Sequence, residues 1–137
     1  MAELSRDAIA RRTVWSFVVD VVLVVAFAVI GRASHAEALD AAGVATTAWP
    51  FLVALVLGWA VTLAWRAPVR PVRTGLPLWA ITLVGGMLLR VLSGQGTAVP
   101  FIIVAAVFLL ITLVGWRVVT TAVTSARTRG RGIHSPE

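Results

Sequence analysis

The chain has 137 residues, 59% of them hydrophobic and only 13% charged, with a formal net charge of +6 and no cysteine. A soluble domain holds about 45–50% apolar and about 25% charged residues, so this composition calls for lipid rather than water as solvent. The lack of cysteine excludes disulfides, thiolate catalysis and cysteine-bound metal, and arginines that flank apolar runs instead of forming one stripe argue against a nucleic-acid partner.

Residues 1–12 read as a polar leader ending in Arg11-Arg12, followed by a first apolar run over 13–31. A crossing helix needs roughly 17–25 such residues, whereas the apolar stretch of a signal peptide is only about 7–15 long, so the run is expected to be an uncleaved span. The polar connector that follows holds Arg32, His35, Glu37 and Asp40; its alanine-rich middle, 36–42, suggests a short interfacial helix ended by Gly43. The second span is expected over 47–65, with Pro50 in its first turn, where a missing N–H costs little. Two prolines and a glycine make residues 66–76 a stiff basic turn. The third span covers 77–92, a glycine-rich turn covers 93–98, and the fourth span covers 99–121. Residues 122–137 read as a basic, disordered tail in which His134 has no evident task.

The architecture this implies is all-α, a polytopic membrane protein with a four-helix bundle. Arg6, Arg11, Arg12, Arg66, Arg70, Arg73, Arg127, Arg129 and Arg131 fall on one side and Arg32 and Arg90 on the other, so the positive-inside rule places both termini in the cytoplasm of a multi-pass plasma-membrane protein. Trp15, Trp49, Trp65, Trp79 and Trp116 lie near span ends, as an aromatic belt would. The second span runs from Pro50-Phe51 to Trp65-Arg66 and the fourth from Pro100-Phe101 to Trp116-Arg117, which is compatible with two hairpins in parallel repeat.

Asp20 is the residue with most chemical content. It lies eight residues past Arg12, roughly 12 Å along a helix at about 1.5 Å per residue. A carboxyl at such depth costs about 2.5–3.5 kcal/mol to insert and should face the bundle interior. Ser16, Asp20, Val24, Phe27 and Gly31 share that face. Hydrocarbon favours the neutral acid unless an arginine comes within about 4–6 Å. A neutral acid that ionises with water or a cation is a coupling site for transport; one that bonds a neighbour is a packing element. On the first reading Asp20→Asn leaves the fold intact and removes any pH-dependent activity. Gly58 and Thr62 on the second span, and Thr82 and Gly86 on the third, form small or hydroxyl faces that line such a site or let helices approach closely. On the outer rim Arg32, His35, Glu37 and Arg90 form a second candidate, a polar cluster suited to an anion or lipid headgroup rather than to a metal, which wants three or four ligands. No phosphate-binding glycine loop, nucleophile–base set or cofactor motif is present.

The sequence resembles the domain of unknown function 3054 family, small membrane proteins common in actinobacteria. The resemblance rests on Asp20, the run Gly31-Arg32-Ala33-Ser34-His35-Ala36-Glu37, Pro50-Phe51-Leu52 with Gly58-Trp59, Gly85-Gly86-Met87-Leu88-Leu89-Arg90, and Gly115-Trp116-Arg117. It implies the four-helix fold and adds no reaction. Two functions compete from the residues themselves: a small transporter or channel subunit with an intramembrane acid, similar in that one respect to the small multidrug-resistance exporters, or a non-transporting scaffold that binds a partner or anionic lipid headgroups. Either is compatible with a homo-oligomer or a membrane partner, and an enzyme is disfavoured. A cavity reaching Asp20 discriminates for transport; a dry, enclosed Asp20 discriminates against it.

Overall fold

The structure, a computed structural model, describes residues 1–132; His134 lies outside the described residues. Helix α1 runs Ala2–Ser34, α2 Ala41–Thr62, α3 Leu76–Leu92, α4 Val99–Leu109 and α5 Gly115–Arg131. A π-helical turn, Pro71–Gly75, leads into α3, and a second π segment, Leu110–Val114, joins α4 to α5 as one continuous rod. Four helical rods are thus long and apolar enough to cross a membrane. Side chains from both ends of the chain meet the 65–70 loop, Thr13 donating to the Trp65 carbonyl (3.5 Å) and Thr121 to that of Val69 (3.4 Å). The two ends of the bundle therefore share one face with that loop, here called the terminal face.

Several boundaries differ from the sequence reading. The leader is helical from Ala2, and the tail stays helical to Arg131 rather than becoming disordered from residue 122. Both segments simply extend a helix already nucleated by its span, and adding a residue to a formed helix is far easier than starting one. Residues 36–42 form no interfacial helix: Ala36 turns with φ 54°, and Asp40 instead caps α2 by accepting from the Gly43 amide at 2.8 Å. Gly43 is consequently in the first turn of α2, where the Arg32 guanidinium lies against the space a side chain would take. At the other end α2 stops at Thr62, because Leu63 is left-handed (φ 51°). The basic turn is shorter than expected, since Pro71 starts the helical turn before α3, where its fixed φ suits a first position.

Lipid provides no hydrophobic drive between helices, so association depends on close packing and internal polar contacts. Helices α2 and α3 pack most extensively. A side chain at Gly86 would run into the Phe51 ring, and one at Gly85 would lie 3.0 Å from Ala54 Cβ. One at Gly58 would lie 2.8 Å from Leu78 Cδ1. These glycines let α2 and α3 approach closely. Helix α1 buries Ser16, Asp20, Val24 and Phe27. Phe27 sits at the centre of an aromatic cluster, with ring centroids 5.1 Å from Phe51, 5.9 Å from Phe101 and 5.7 Å from Phe108, within the 4.5–7 Å range in which aromatic pairs attract.

Candidate functional site

Asp20 projects from α1 into the centre of the bundle and is fully buried. The chain meets it with four donors. Arg117, from α5, forks onto both carboxylate oxygens, Nη1 to Oδ1 at 2.9 Å and Nη2 to Oδ2 at 2.6 Å. The indole N–H of Trp59 (α2) donates to Oδ2 at 2.9 Å, and that of Trp116 (α5) to Oδ1 at 2.9 Å. Arg117 is itself fully buried and gives its remaining reach to backbone carbonyls, Nε to Pro68 at 2.8 Å and Nη1 to Leu113 at 2.7 Å. Such a parallel two-bond fork is the strong geometry of carboxylate recognition.

Local structure explains how adjacent residues Trp116 and Arg117 both reach one carboxylate. The π segment ends at Val114, two residues before Trp116, so the α-helical register restarts at Gly115, just ahead of the pair. Gly75 lets the π turn before α3 come close on the other side: a side chain there would meet Arg117 Cδ at 3.3 Å and Val114 Cγ2 at 3.4 Å. Trp59 is held by an edge-on contact with Phe17, centroids 5.2 Å apart. A single carboxylate thus ties together α1, α2, α5 and, through Pro68, the intervening loop.

The interior orientation expected of Asp20 is present, but its partners are not Gly58 or Gly86. The carboxylate instead meets Arg117, which in the sequence stands at the end of the fourth span. Two belt tryptophans also turn inward: Trp116 to Asp20, and Trp79, whose indole donates to the Ala106 carbonyl at 2.9 Å. Trp15, Trp49 and Trp65 remain exposed around the rods. The internal repeat diverges here, since Trp65 and Arg66 are exposed whereas their counterpart Arg117 is buried. Thr62 back-bonds to the Gly58 carbonyl (2.7 Å), which satisfies the hydroxyl within its own helix. Thr82 is fully buried and its hydroxyl has no hydrogen-bond partner.

At the opposite face the rim cluster assembles. Arg32 pairs with Glu37 at 2.9 Å and donates to the Ala38 carbonyl (2.7 Å) and to Thr47 Oγ1 (3.2 Å). Arg90 stands over the Phe101 ring at 4.3 Å and bonds Gln95 Oε1 at 3.0 Å. Arg32, exposed His35, Glu37, Thr47, Arg90 and Phe101 line one cavity of about 70 Å³, room for little more than a water or two. Among the described residues Arg90 makes no ion pair; its side chain fastens the 93–98 turn, in which Gly94 and Gly96 take positive φ. Around that cavity Arg32 and Arg90 each staple one loop, the 35–40 connector and the 93–98 turn.

Sequence reasoning missed Trp59, Trp116 and Arg117 as site residues. The signal available was complementary charge: Asp20 lies inside the first span and Arg117 a turn inside the end of the fourth, both toward the terminal face. Comparison with curated proteins and with solved structures gives no match. Residues 17–120 do match the family described as protein of unknown function (DUF3054), a region that holds Asp20, Trp59, Trp116, Arg117 and the whole outer rim, and the chain belongs to that family.

Proposed function

We propose that this protein is a non-translocating membrane module: a four-crossing bundle, held in register by the Asp20 clamp, that presents an arginine-rich face to the cytoplasm for an anionic partner. The observation that supports this reading is the enclosure of Asp20, which has no exposed surface and whose two oxygens are both occupied by donors. A coupling acid must exchange its proton or cation with water at some stage, whereas a fully donated carboxylate works as a structural acceptor. The orientation follows from the arginine count on the terminal face.

A second reading, a small transporter or channel subunit with Asp20 as its coupling acid, draws on one feature. The π segment Leu110–Val114 lies one residue short of the Trp116-Arg117 pair, with Gly115 between, and such segments recur at functional sites, where a change of helical register would withdraw Arg117 from Asp20. Proteoliposomes with imposed proton and sodium gradients separate the two. The module reading expects the same flux as protein-free vesicles across the pH range. A protein-dependent flux that Asp20→Asn abolishes while helicity is retained would overturn it.

A further inference from the structure

On the terminal face, residues 9–13 of α1 and the 65–73 loop border an open-sided cavity of about 370 Å³ lined by Arg12, Arg66, Arg70 and Arg73 together with Thr13 and Trp65. Among the described residues the ion pairs are Arg32–Glu37 and Arg117–Asp20, so none of these four arginines is neutralised by an acid. Four guanidinium groups around one concavity repel each other unless an anion sits among them.

The backbone of the loop points to the same chemistry by an independent route. Most of its carbonyls are taken up within the protein: that of Trp65 by Thr13, Ala67 by Thr74 Oγ1 (2.6 Å), Pro68 by Arg117, Val69 by Thr121 and Arg70 by the amides of Thr74 and Gly75. The helical turn that begins at Pro71 has no side-chain cap, which leaves its first amides without an intrahelical acceptor. Most of the loop's acceptors are therefore spent on the fold. Its Arg66, Ala67 and Arg70 amides are spent as well, but among the described residues the four guanidinium groups and the Val72 and Arg73 amides find no acceptor, a surplus of donors that suits an anion and repels a cation. The volume exceeds what a bare oxyanion needs, and Trp65 at its edge is an interfacial residue type.

We infer that the Arg12–Arg66–Arg70–Arg73 cavity binds a phosphate-bearing anion, either the phosphodiester headgroup of an anionic lipid or a soluble phosphate. This rests on the module reading only in taking the terminal face as a binding face; it names the site and the ligand chemistry. Arginine suits phosphate because its planar fork gives paired, charge-assisted hydrogen bonds.

The test uses the full chain, purified in a neutral detergent. Retention of phosphatidylglycerol is followed by native mass spectrometry, and inorganic phosphate and a polyglutamate peptide are titrated calorimetrically. The wild type is compared with Arg66→Gln/Arg70→Gln and with Arg127→Gln/Arg129→Gln, which removes the same charge from the end of α5; thermal melts followed by circular dichroism confirm that all are folded. The cavity variant should bind the phosphate ligand about tenfold or more weakly, and the α5 variant should lie within about twofold of wild type. Binding of the lipid alone assigns the source to the bilayer, and binding of inorganic phosphate alone assigns it to the aqueous phase; either supports the site. Equal loss in both variants would mean that only overall charge matters and would overturn it. So would binding of polyglutamate without either phosphate ligand, or binding of none of the three. Ion flux in the preceding experiment with phosphate binding intact would instead sink the module reading and leave this site standing.

Discussion

Replacing the Asp20–Arg117 pair one member at a time, and then together, tests whether it is the clamp of the bundle. Both side chains are completely buried and share the fork of 2.6 and 2.9 Å hydrogen bonds. Removing one member of a buried ion pair costs about 3–5 kcal/mol, because the other charge is left uncompensated. Asp20→Leu and Arg117→Met should each lose about that much, and independent effects would sum to roughly 6–10 kcal/mol. The double variant buries no charge. It leaves the Trp59 and Trp116 indoles without their acceptor, at about 1–3 kcal/mol each, so its loss should be only about 2–6 kcal/mol. The expected coupling is then on the order of 4 kcal/mol. Reversible unfolding in mixed micelles, followed by tryptophan fluorescence and circular dichroism, gives all four corners of the cycle. Losses that simply add, or single variants that cost under about 1 kcal/mol, would show that the pair does not hold the fold.

The same geometry changes what Asp20→Asn is expected to do. Each carboxylate oxygen accepts one arginine and one indole donor. Whichever way the amide is turned, its NH2 faces two donors and can accept from neither. Orphaning two buried donors costs about 2–6 kcal/mol, so Asn is a destabilising change here rather than a silent one. A melting curve for Asp20→Asn that overlays the wild type would contradict the hydrogen-bond assignment.

Further expectations follow from individual contacts. Reporter fusions at Arg70 and Glu137 should read cytoplasmic and one at Ala41 external; an external carboxyl terminus would reverse the orientation assigned from arginine counts. Gly86→Ala forces a methyl into the Phe51 ring and should cost about 1–3 kcal/mol in the same unfolding assay, while Gly115→Ala, which has open space, should cost nothing measurable. Thr82→Val keeps the shape and removes a buried hydroxyl without a partner, so it should stabilise by about 1 kcal/mol; destabilisation would reveal a bound water at that hydroxyl. Glu37→Gln breaks an ion pair whose acid is half-exposed and should change stability by less than about 1 kcal/mol.

What could be read from the sequence was what the solvent dictates. Apolar run length placed the four crossings, and the cost of a charge in hydrocarbon turned Asp20 inward with Ser16, Val24 and Phe27. The ends of helices were less legible, because Asp40 and Leu63 stop or start α2 by cap geometry that composition does not display. Arg117 was hidden for a different reason. An arginine near the end of a span has a cheap alternative, since its long stem can carry the charge to the interface. Whether it snorkels outward or turns in depends on an acid 97 positions earlier in the chain, a relation no local pattern encodes.

That long-range relation also accounts for why a membrane bundle would keep a charged pair at its centre. Helices α2 and α3 are neighbours in sequence and identify each other through Gly58, Gly85 and Gly86, which fix their approach by shape. Helix α1 and the last crossing are far apart in sequence, and their aromatic contacts among Phe27, Phe101 and Phe108 would tolerate small rotations. In lipid, apolar faces alone do not choose among such rotations, because the acyl chains are as apolar as the side chains they replace. A carboxylate that must meet one guanidinium and two indoles permits a single register, since every other one strands several buried polar groups. Because Arg117 also donates to Pro68, that register sets the position of the 65–73 loop and hence of Arg66, Arg70 and Arg73. The buried clamp and the exposed basic cavity are in this way two ends of one structural device, and weakening the first should loosen the geometry of the second.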